Sequence, residues 1–211
     1  MNRNHFFKTT ILGGLSIIFL PLNSFHLIQK KYSKNQLLGK ENPDLTGDTY
    51  ASKMNKEAKV AFEKMKTAAL KDGINIEVVS AYRSFQKQKN IFENKYKKFT
   101  NEGLTPVQSV EKIIEYSTIP GTSRHHWGTD IDIIDASIQA PNNLLVESNY
   151  DSNGAYFELK KWMDINSKSF GFYLVYTNDS SRKGFYYEPW HYTYRPLSKP
   201  LLEEYRKLNI R

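Results

Sequence analysis

Apolar residues recur at Met54, Ala58, Ala61, Met65 and Ala68, at spacings of four and three. That period predicts a helix, and Asp72-Gly73 follows it as a stop signal. Ile74-Asn75-Ile76-Glu77-Val78-Val79 then alternates as a strand does. Ser84 is placed to cap a second helix with Phe85, Phe92, Tyr96 and Phe99 on its inner face. Thr105-Pro106-Val107-Gln108 supplies a cap, a first-turn proline and a capping-box glutamine ahead of Val110, Ile113 and Ile114. Thr129 to Ile134 predicts a strand with Asp130 and Asp132 on one face and Ile131 and Ile133 on the other. A helix around Leu159, Trp162 and Met163 should stop near Gly171. Phe172 to Tyr176 and Phe185 to Tyr194 predict two more strands, and the tail from Ser198 a short helix using Leu201, Tyr205 and Leu208. Helices precede and interleave with a sheet of antiparallel character, so the expected class is α+β.

Upstream of Met54 the pattern changes. Arg3 and Lys8 precede an apolar run from Ile11 to Leu22 that is interrupted by Gly13, Gly14 and Ser16. The run is shorter than the roughly 20 residues a membrane span needs, and it fits the apolar region of an export signal. No Ala-x-Ala cleavage site follows. Residues 1–25 are therefore expected to be a signal peptide or an uncleaved N-terminal anchor. Residues 26–50 are polar, without a sustained period, and are expected to be a tether. Residues 51–211 are expected to be one catalytic domain. This arrangement predicts an exported protein of the periplasm or cell envelope, its only membrane contact being an uncleaved N-terminal segment.

Composition narrows the chemistry. The 211 residues carry a formal charge of +8 and no cysteine. The charge suits a solvated exterior or an anionic surface, and no nucleic-acid-binding motif accompanies it, so a nucleic-acid partner is not expected. Without cysteine there is neither a disulfide framework nor a thiolate metal site. Any metal must be held by His, Asp or Glu.

Such residues converge in two places, Ser123-Arg124-His125-His126-Trp127-Gly128-Thr129-Asp130-Ile131-Asp132 and Glu188-Pro189-Trp190-His191. The chain has five histidines, and the three beyond residue 26 all lie in these two segments. A buried, unpaired aspartate on a strand is costly, and a cation would supply its partner. His125, Asp132 and His191 offer two nitrogens and one oxygen, leaving a fourth tetrahedral position for water, as catalytic zinc sites do. Asp130 shares the face of Asp132 and is a rival ligand; His126 is the spare histidine, read as structural or supporting. Glu188 is the candidate general base, taking a proton from an activated water and passing it to the leaving amine. Glu188 and His191 differ in strand parity, so both reach one metal only if the chain bends near Pro189.

Ser123-x-His125-x-x-Gly128-x-Asp130-x-Asp132 and Glu188-x-Trp190-His191 resemble the two signatures of the VanY-type D-alanyl-D-alanine carboxypeptidase family, whose zinc fold is shared with lysostaphin-type peptidases and the hedgehog domain. Leu37-Leu38-Gly39-Lys40 and Ser80-Ala81-Tyr82-Arg83-Ser84-x-x-x-Gln88 extend the resemblance from about residue 37 to the C-terminus. It implies an antiparallel sheet carrying one zinc ion, with His125, Asp132 and His191 as ligands and Glu188 as catalytic base. It further implies that Arg83 binds the terminal carboxylate of the peptide, its planar fork suiting a bidentate contact. Ser123 and Gln88 would help hold the substrate, and Trp190 would wall the site. The implied reaction is removal of the last D-alanine from peptidoglycan stem peptides. An L,D-carboxypeptidase, a cross-link endopeptidase and a non-catalytic wall-binding module are the alternatives. Asp130 stands where the motif commonly has alanine, and Ala81 replaces a glycine.

Overall fold

The computed structural model describes residues 32–209 apart from 43 and 50. The expected export segment and the first part of the expected tether lie outside the described residues.

The rest of the expected tether is folded. Ser33 caps a one-turn helix α1 (Lys34–Leu37), its hydroxyl accepting from Gln36 N at 3.0 Å. Leu37 and Leu38 are buried, and Leu37 joins Trp127 and Leu201 in a small apolar cluster. Leu37 O also accepts from the Trp127 indole at 3.1 Å. Gly39, at φ 74, lies so close to the His126 ring that a Cβ there would fall 2.3 Å from it. Strand β1 (Leu45–Thr46) pairs antiparallel with β2 (Met54–Asn55). The segment reads as a tether because two leucines and backbone hydrogen bonds hold it, rather than a repeating apolar stripe.

Asn55 opens α2 (Lys56–Lys71) by accepting from Glu57 N at 2.9 Å, which satisfies a donor that the first helical turn leaves open. Ala58, Phe62, Met65 and Ala69 are its buried stripe, while Ala61 and Ala68 are partly buried beside it. Strand β3 (Ile76–Ser80) follows, then α3 (Phe85–Asn101), capped by Ser84, and α4 (Pro106–Ile114), with the capping box of Thr105 and Gln108 in place. The inner face of α3 differs from expectation. Gln88 is its one fully buried residue, and Phe85, Phe92, Tyr96 and Phe99 are half-buried. This helix packs with α4 at the edge of the fold rather than over the main core.

Strand β4 (Asp130–Asp135) is buried along its whole length. After α5 (Phe157–Asn166) and a 3-10 turn come β5 (Phe172–Leu174), β6 (His191–Tyr194) and α6 (Arg195–Arg206). The main sheet runs β3-β4-β6-β5, every pair antiparallel. Sheet and flanking helices make an α+β fold. One face of the sheet packs Ile76, Val78, Ile131, Ile133, Tyr192 and Phe172 against residues of α2 and α5. Among the described residues no helix is long and apolar enough to cross a membrane.

Two expected elements are shorter than predicted. Strand β5 ends at Leu174, and Phe185 to Trp190 is not a strand. Proline cannot donate to a ladder, and the chain turns at Pro189, with His191 N donating to Glu188 O at 3.1 Å. The expected bend between Glu188 and His191 is this turn. The last helix begins at Arg195, three residues before the expected Ser198.

Candidate active site

The face of the sheet opposite the apolar core is polar. Asp132 pairs with His191 across β4 and β6, and Asp130 with Thr193. On the other flank, β3 carries an irregularity between Val78 and Ser80, so that Val78 opposes Ile133 while Ser80 opposes Asp132. Such a bulge shifts the parity of the strand end. It keeps Val78 in the core and brings Ser80, of the same parity, to the face of Asp132. Val79 and Ser80 both line the cavity that opens there, a space of about 610 Å³.

Ser123 leads into a 3-10 turn over Arg124–Trp127. With three residues per turn, successive side chains point about 120° apart, and the turn sends its three buried aromatic residues to three destinations. His125 faces the cavity. His126 packs against Gly39, accepts from Gly121 N through Nε2 at 3.0 Å and faces Arg83 O through Nδ1 at 2.6 Å. Trp127 joins α1 and α6. Gly128 ends the turn at φ 67, where a Cβ would lie 2.9 Å from Asn55 N. The chain can therefore pass under β2 only with glycine here.

His125, Asp132 and His191 each offer a ligand atom, all within 4.8 Å of one another and all buried. His125 Nδ1 lies 2.7 Å from Ala81 O, so its proton sits on Nδ1 and its Nε2 lone pair faces Asp132 Oδ2 at 3.4 Å. His191 is turned the other way. Its Nε2 lies 2.9 Å from Asp130 Oδ2, and its Nδ1 faces Glu188 Oε2 at 2.8 Å and Asp132 Oδ1 at 3.7 Å. Asp132 Oδ1 is buried without a hydrogen-bond partner, a condition that costs about 1–3 kcal/mol or more for a charged group. One imidazole nitrogen at each oxygen of a buried carboxylate, with Oδ1 lacking a hydrogen-bond partner, fits a divalent cation of borderline softness such as zinc.

The electrostatics of Asp132 and His125 agree with that donor set. Desolvation raises the Asp132 pKa, but His125, His191 and Arg83 outweigh it and hold the carboxyl well below the usual range. Burial and the Arg83 charge pull the His125 pKa down, favouring the neutral ring that a metal needs. For His191, desolvation is outweighed by hydrogen bonds with Asp130 and Glu188, which push its pKa up to about 10. A metal on Nδ1 would displace that proton.

Glu188, Arg83, Ser123 and Trp190 line the same cavity. The Arg83 Nε and Nη2 both reach Ser80 Oγ, at 3.0 and 2.8 Å, and Nη2 reaches Asp132 Oδ2 at 2.6 Å. The expected carboxylate fork is thus tied to an aspartate of the candidate metal site. Trp190 belongs to the core as well as to the cavity wall, its ring 5.7 Å from that of Tyr150. Gln88 does not line the cavity. Its amide donates to Thr118 O at 2.8 Å and to Ser117 Oγ at 3.4 Å, and those two residues are the ones in the wall. A buried glutamine on α3 can brace the neighbouring loop but cannot reach past it.

The structure adds residues that sequence spacing did not single out. Lys95 lines the cavity from α3, its pKa lowered by burial and by the Arg83 charge. Tyr176 stands edge-on to the His191 ring at 5.0 Å. Ser80 and Arg124 complete the polar wall. The only local hint of Ser80 was its place beside Arg83.

A family model described as VanY, D-alanyl-D-alanine carboxypeptidase, matches residues 51–197. The chain is 33% identical over 128 residues to a D-alanyl-D-alanine carboxypeptidase of Enterococcus faecalis, covering 60% of this chain and 42% of that protein. It is 27% identical over 143 residues to one of Enterococcus faecium, covering 67% of this chain and 37% of that protein. It thus spans less than half the length of either relative. The solved structure of VanYB in complex with D-alanine-D-alanine superposes with a TM-score of 0.60 at 25% identity, covering 79% of this chain and 84% of that one. The LdcB LD-carboxypeptidase superposes with a TM-score of 0.57 at 26% identity, covering 80% of each. With a family model matched over 51–197 and the fold shared with VanYB, this chain belongs to the VanY family of D-alanyl-D-alanine carboxypeptidases.

Proposed function

We propose that this domain is a zinc carboxypeptidase that removes the C-terminal D-alanine from peptidoglycan stem peptides. The observation that carries the reading is the buried Asp132 carboxylate, faced by His125 at Oδ2 and by His191 at an Oδ1 that lacks a hydrogen-bond partner, near Glu188 in the wall of an open cavity. The names of the enterococcal relatives support the D,D choice.

His125 Nε2, an oxygen of Asp132 and His191 Nδ1 would hold one zinc ion. Bound zinc supplies Lewis acidity and brings the pKa of a water to about 7. The Glu188 carboxylate takes a proton from the attacking water as the new C–O bond forms. It returns the proton to the amide nitrogen as the C–N bond breaks and D-alanine leaves. Arg83, held from behind by Ser80 and Asp132, keeps a cation at the cavity wall for the free carboxylate of that alanine. Ser123 would position the peptide, and Trp190 would form an apolar wall beside it. Export to the cell envelope would bring the domain to this substrate.

The likeness to the LdcB LD-carboxypeptidase favours a second reading, removal of D-alanine from a tetrapeptide stem. Mass spectrometry of defined muropeptides incubated with the zinc-loaded chain decides between them. Loss of one alanine from the pentapeptide stem supports the D,D reading, and loss from the tetrapeptide alone replaces it with L,D. Cleavage of cross-linked dimers alone would make the protein an endopeptidase. No cleavage with zinc bound would make it a non-catalytic wall-binding module.

A further inference from the structure

We propose that Asp130 is a positioning residue for the metal centre, holding His191 by Nε2 so that Nδ1 becomes the ligating atom. The proposal rests on reading His125, Asp132 and His191 as a metal site, and it assigns a function to a buried carboxylate that stands behind that site.

The geometry rules Asp130 out as a fourth ligand. Its Oδ2 lies 2.9 Å from His191 Nε2 and accepts from Arg124 Nε at 2.8 Å. Its Oδ1 accepts from the hydroxyl of Thr129 at 2.9 Å and from that of Thr193. An ionised carboxylate offers about four lone-pair positions, and four donors fill them here. The two nitrogens of an imidazole also point away from each other. A carboxylate on Nε2 therefore cannot share the cation held by Nδ1.

The same contacts explain how Asp130 would work. It is fully buried, and such a carboxylate is tolerable only when paired and hydrogen-bonded. Arg124 supplies the charge and is itself fixed, its Nη2 donating to Thr193 Oγ1 at 2.9 Å and its guanidinium lying 5.3 Å from the Trp127 ring centre. Asp130 pairs with Thr193 in the ladder, diagonal to His191, so two rigid strands set the distance. The hydrogen bond to Asp130 fixes the Nε2–H tautomer, orients the ring and raises the basicity of Nδ1. Partners of this kind are worth about 10–100-fold in metal affinity. His125 receives the same service from a backbone carbonyl, Ala81 O, on its Nδ1. The two histidines thus present opposite nitrogens to one point.

The test measures zinc affinity of the full chain by chelator competition in the parent and in Asp130→Ala and Asp130→Asn, with His191→Ala as reference. A ¹H–¹⁵N correlation spectrum of His191 is recorded on the zinc-loaded proteins. The expected result is a 10–100-fold loss of zinc affinity in Asp130→Ala, a smaller loss in Asp130→Asn, and an Nε2-protonated His191 ring in the parent. A folded Asp130→Ala that binds zinc as the parent does overturns the proposal and leaves the metal site standing. A parent with no zinc affinity overturns the metal reading and this inference together. Should Asp130→Ala not fold, Asp130→Asn decides. A parent-like affinity with the proton on Nδ1 overturns the proposal, and a weakened site with Nε2 still protonated supports it.

Discussion

The guanidinium of Arg83 lies 2.6 Å from Asp132 Oδ2, joining the end of β3 to the middle of β4 across 49 residues of sequence. The link couples the group read as the substrate anchor to a carboxylate of the candidate metal site. Arg83→Ala should therefore lower kcat/KM for a peptide with a free C-terminus by at least about tenfold, since charge-assisted pairs contribute roughly 1.5–3 kcal/mol. Activity on the C-terminally amidated peptide should fall much less. Steady-state kinetics on the two peptides checks this, and an equal loss on both would remove Arg83 from carboxylate recognition.

Glu188 is buried beside His191 in the cavity wall, with Oε2 2.8 Å from Nδ1. Glu188→Gln keeps the shape and removes the base. Turnover should drop by roughly 10²–10⁴-fold, the usual contribution of general acid–base catalysis, with zinc still bound at the parental stoichiometry. Metal analysis beside the rate measurement tests it. A variant that lost its zinc would make Glu188 a structural partner of His191.

Removing the metal should cost stability as well as activity. A ligand at about 100 times its dissociation constant stabilises the folded state by roughly 2.7 kcal/mol, and Asp132 Oδ1 has no other hydrogen-bond partner. Thermal unfolding should shift down when a chelator is added and return when zinc is restored. A melting temperature indifferent to both would argue that the three residues do not hold an ion.

His126 predicts a pH dependence of folding. Burial, acting against the hydrogen bond with Arg83 O, lowers its pKa from 6.5 to about 4, and Gly121 N donates to Nε2, which requires the neutral ring. The folded pKa lies below the unfolded one, so the unfolded chain takes up the proton first as pH falls. The stabilisation from this residue is complete above pH 6.5 and is lost progressively as pH falls toward 4, on the order of 3 kcal/mol in all. His126→Gln should remove that part of the slope. Urea unfolding of both proteins at pH 7 and pH 4.5 measures it, and identical slopes would mean that His126 titrates normally.

Much of the architecture was readable in the chain because its causes are local. Helix caps at Ser84 and Thr105 bond backbone groups three residues away, and strand parity places Asp130 and Asp132 on one face whatever the rest of the chain does. The motifs around His125 and His191 pointed to the candidate metal set for the same reason, since each motif is contiguous.

Tertiary structure decided what depends on distant partners. The bulge that brings Ser80 opposite Asp132 is a mismatch between two strands and leaves no mark in either alone. Gln88 sits four residues beyond Ser84 in a motif that resembles a substrate-binding one, yet only the packing of α3 shows that its amide braces Thr118. Leu37 becomes core only when Trp127 and Leu201 meet it. The choice between Asp130 as ligand and Asp130 as support could not be made from spacing. It turns on which nitrogen of His191, 61 residues away, faces the carboxylate, and ring orientation is set by packing across strands rather than by the order of residues along one.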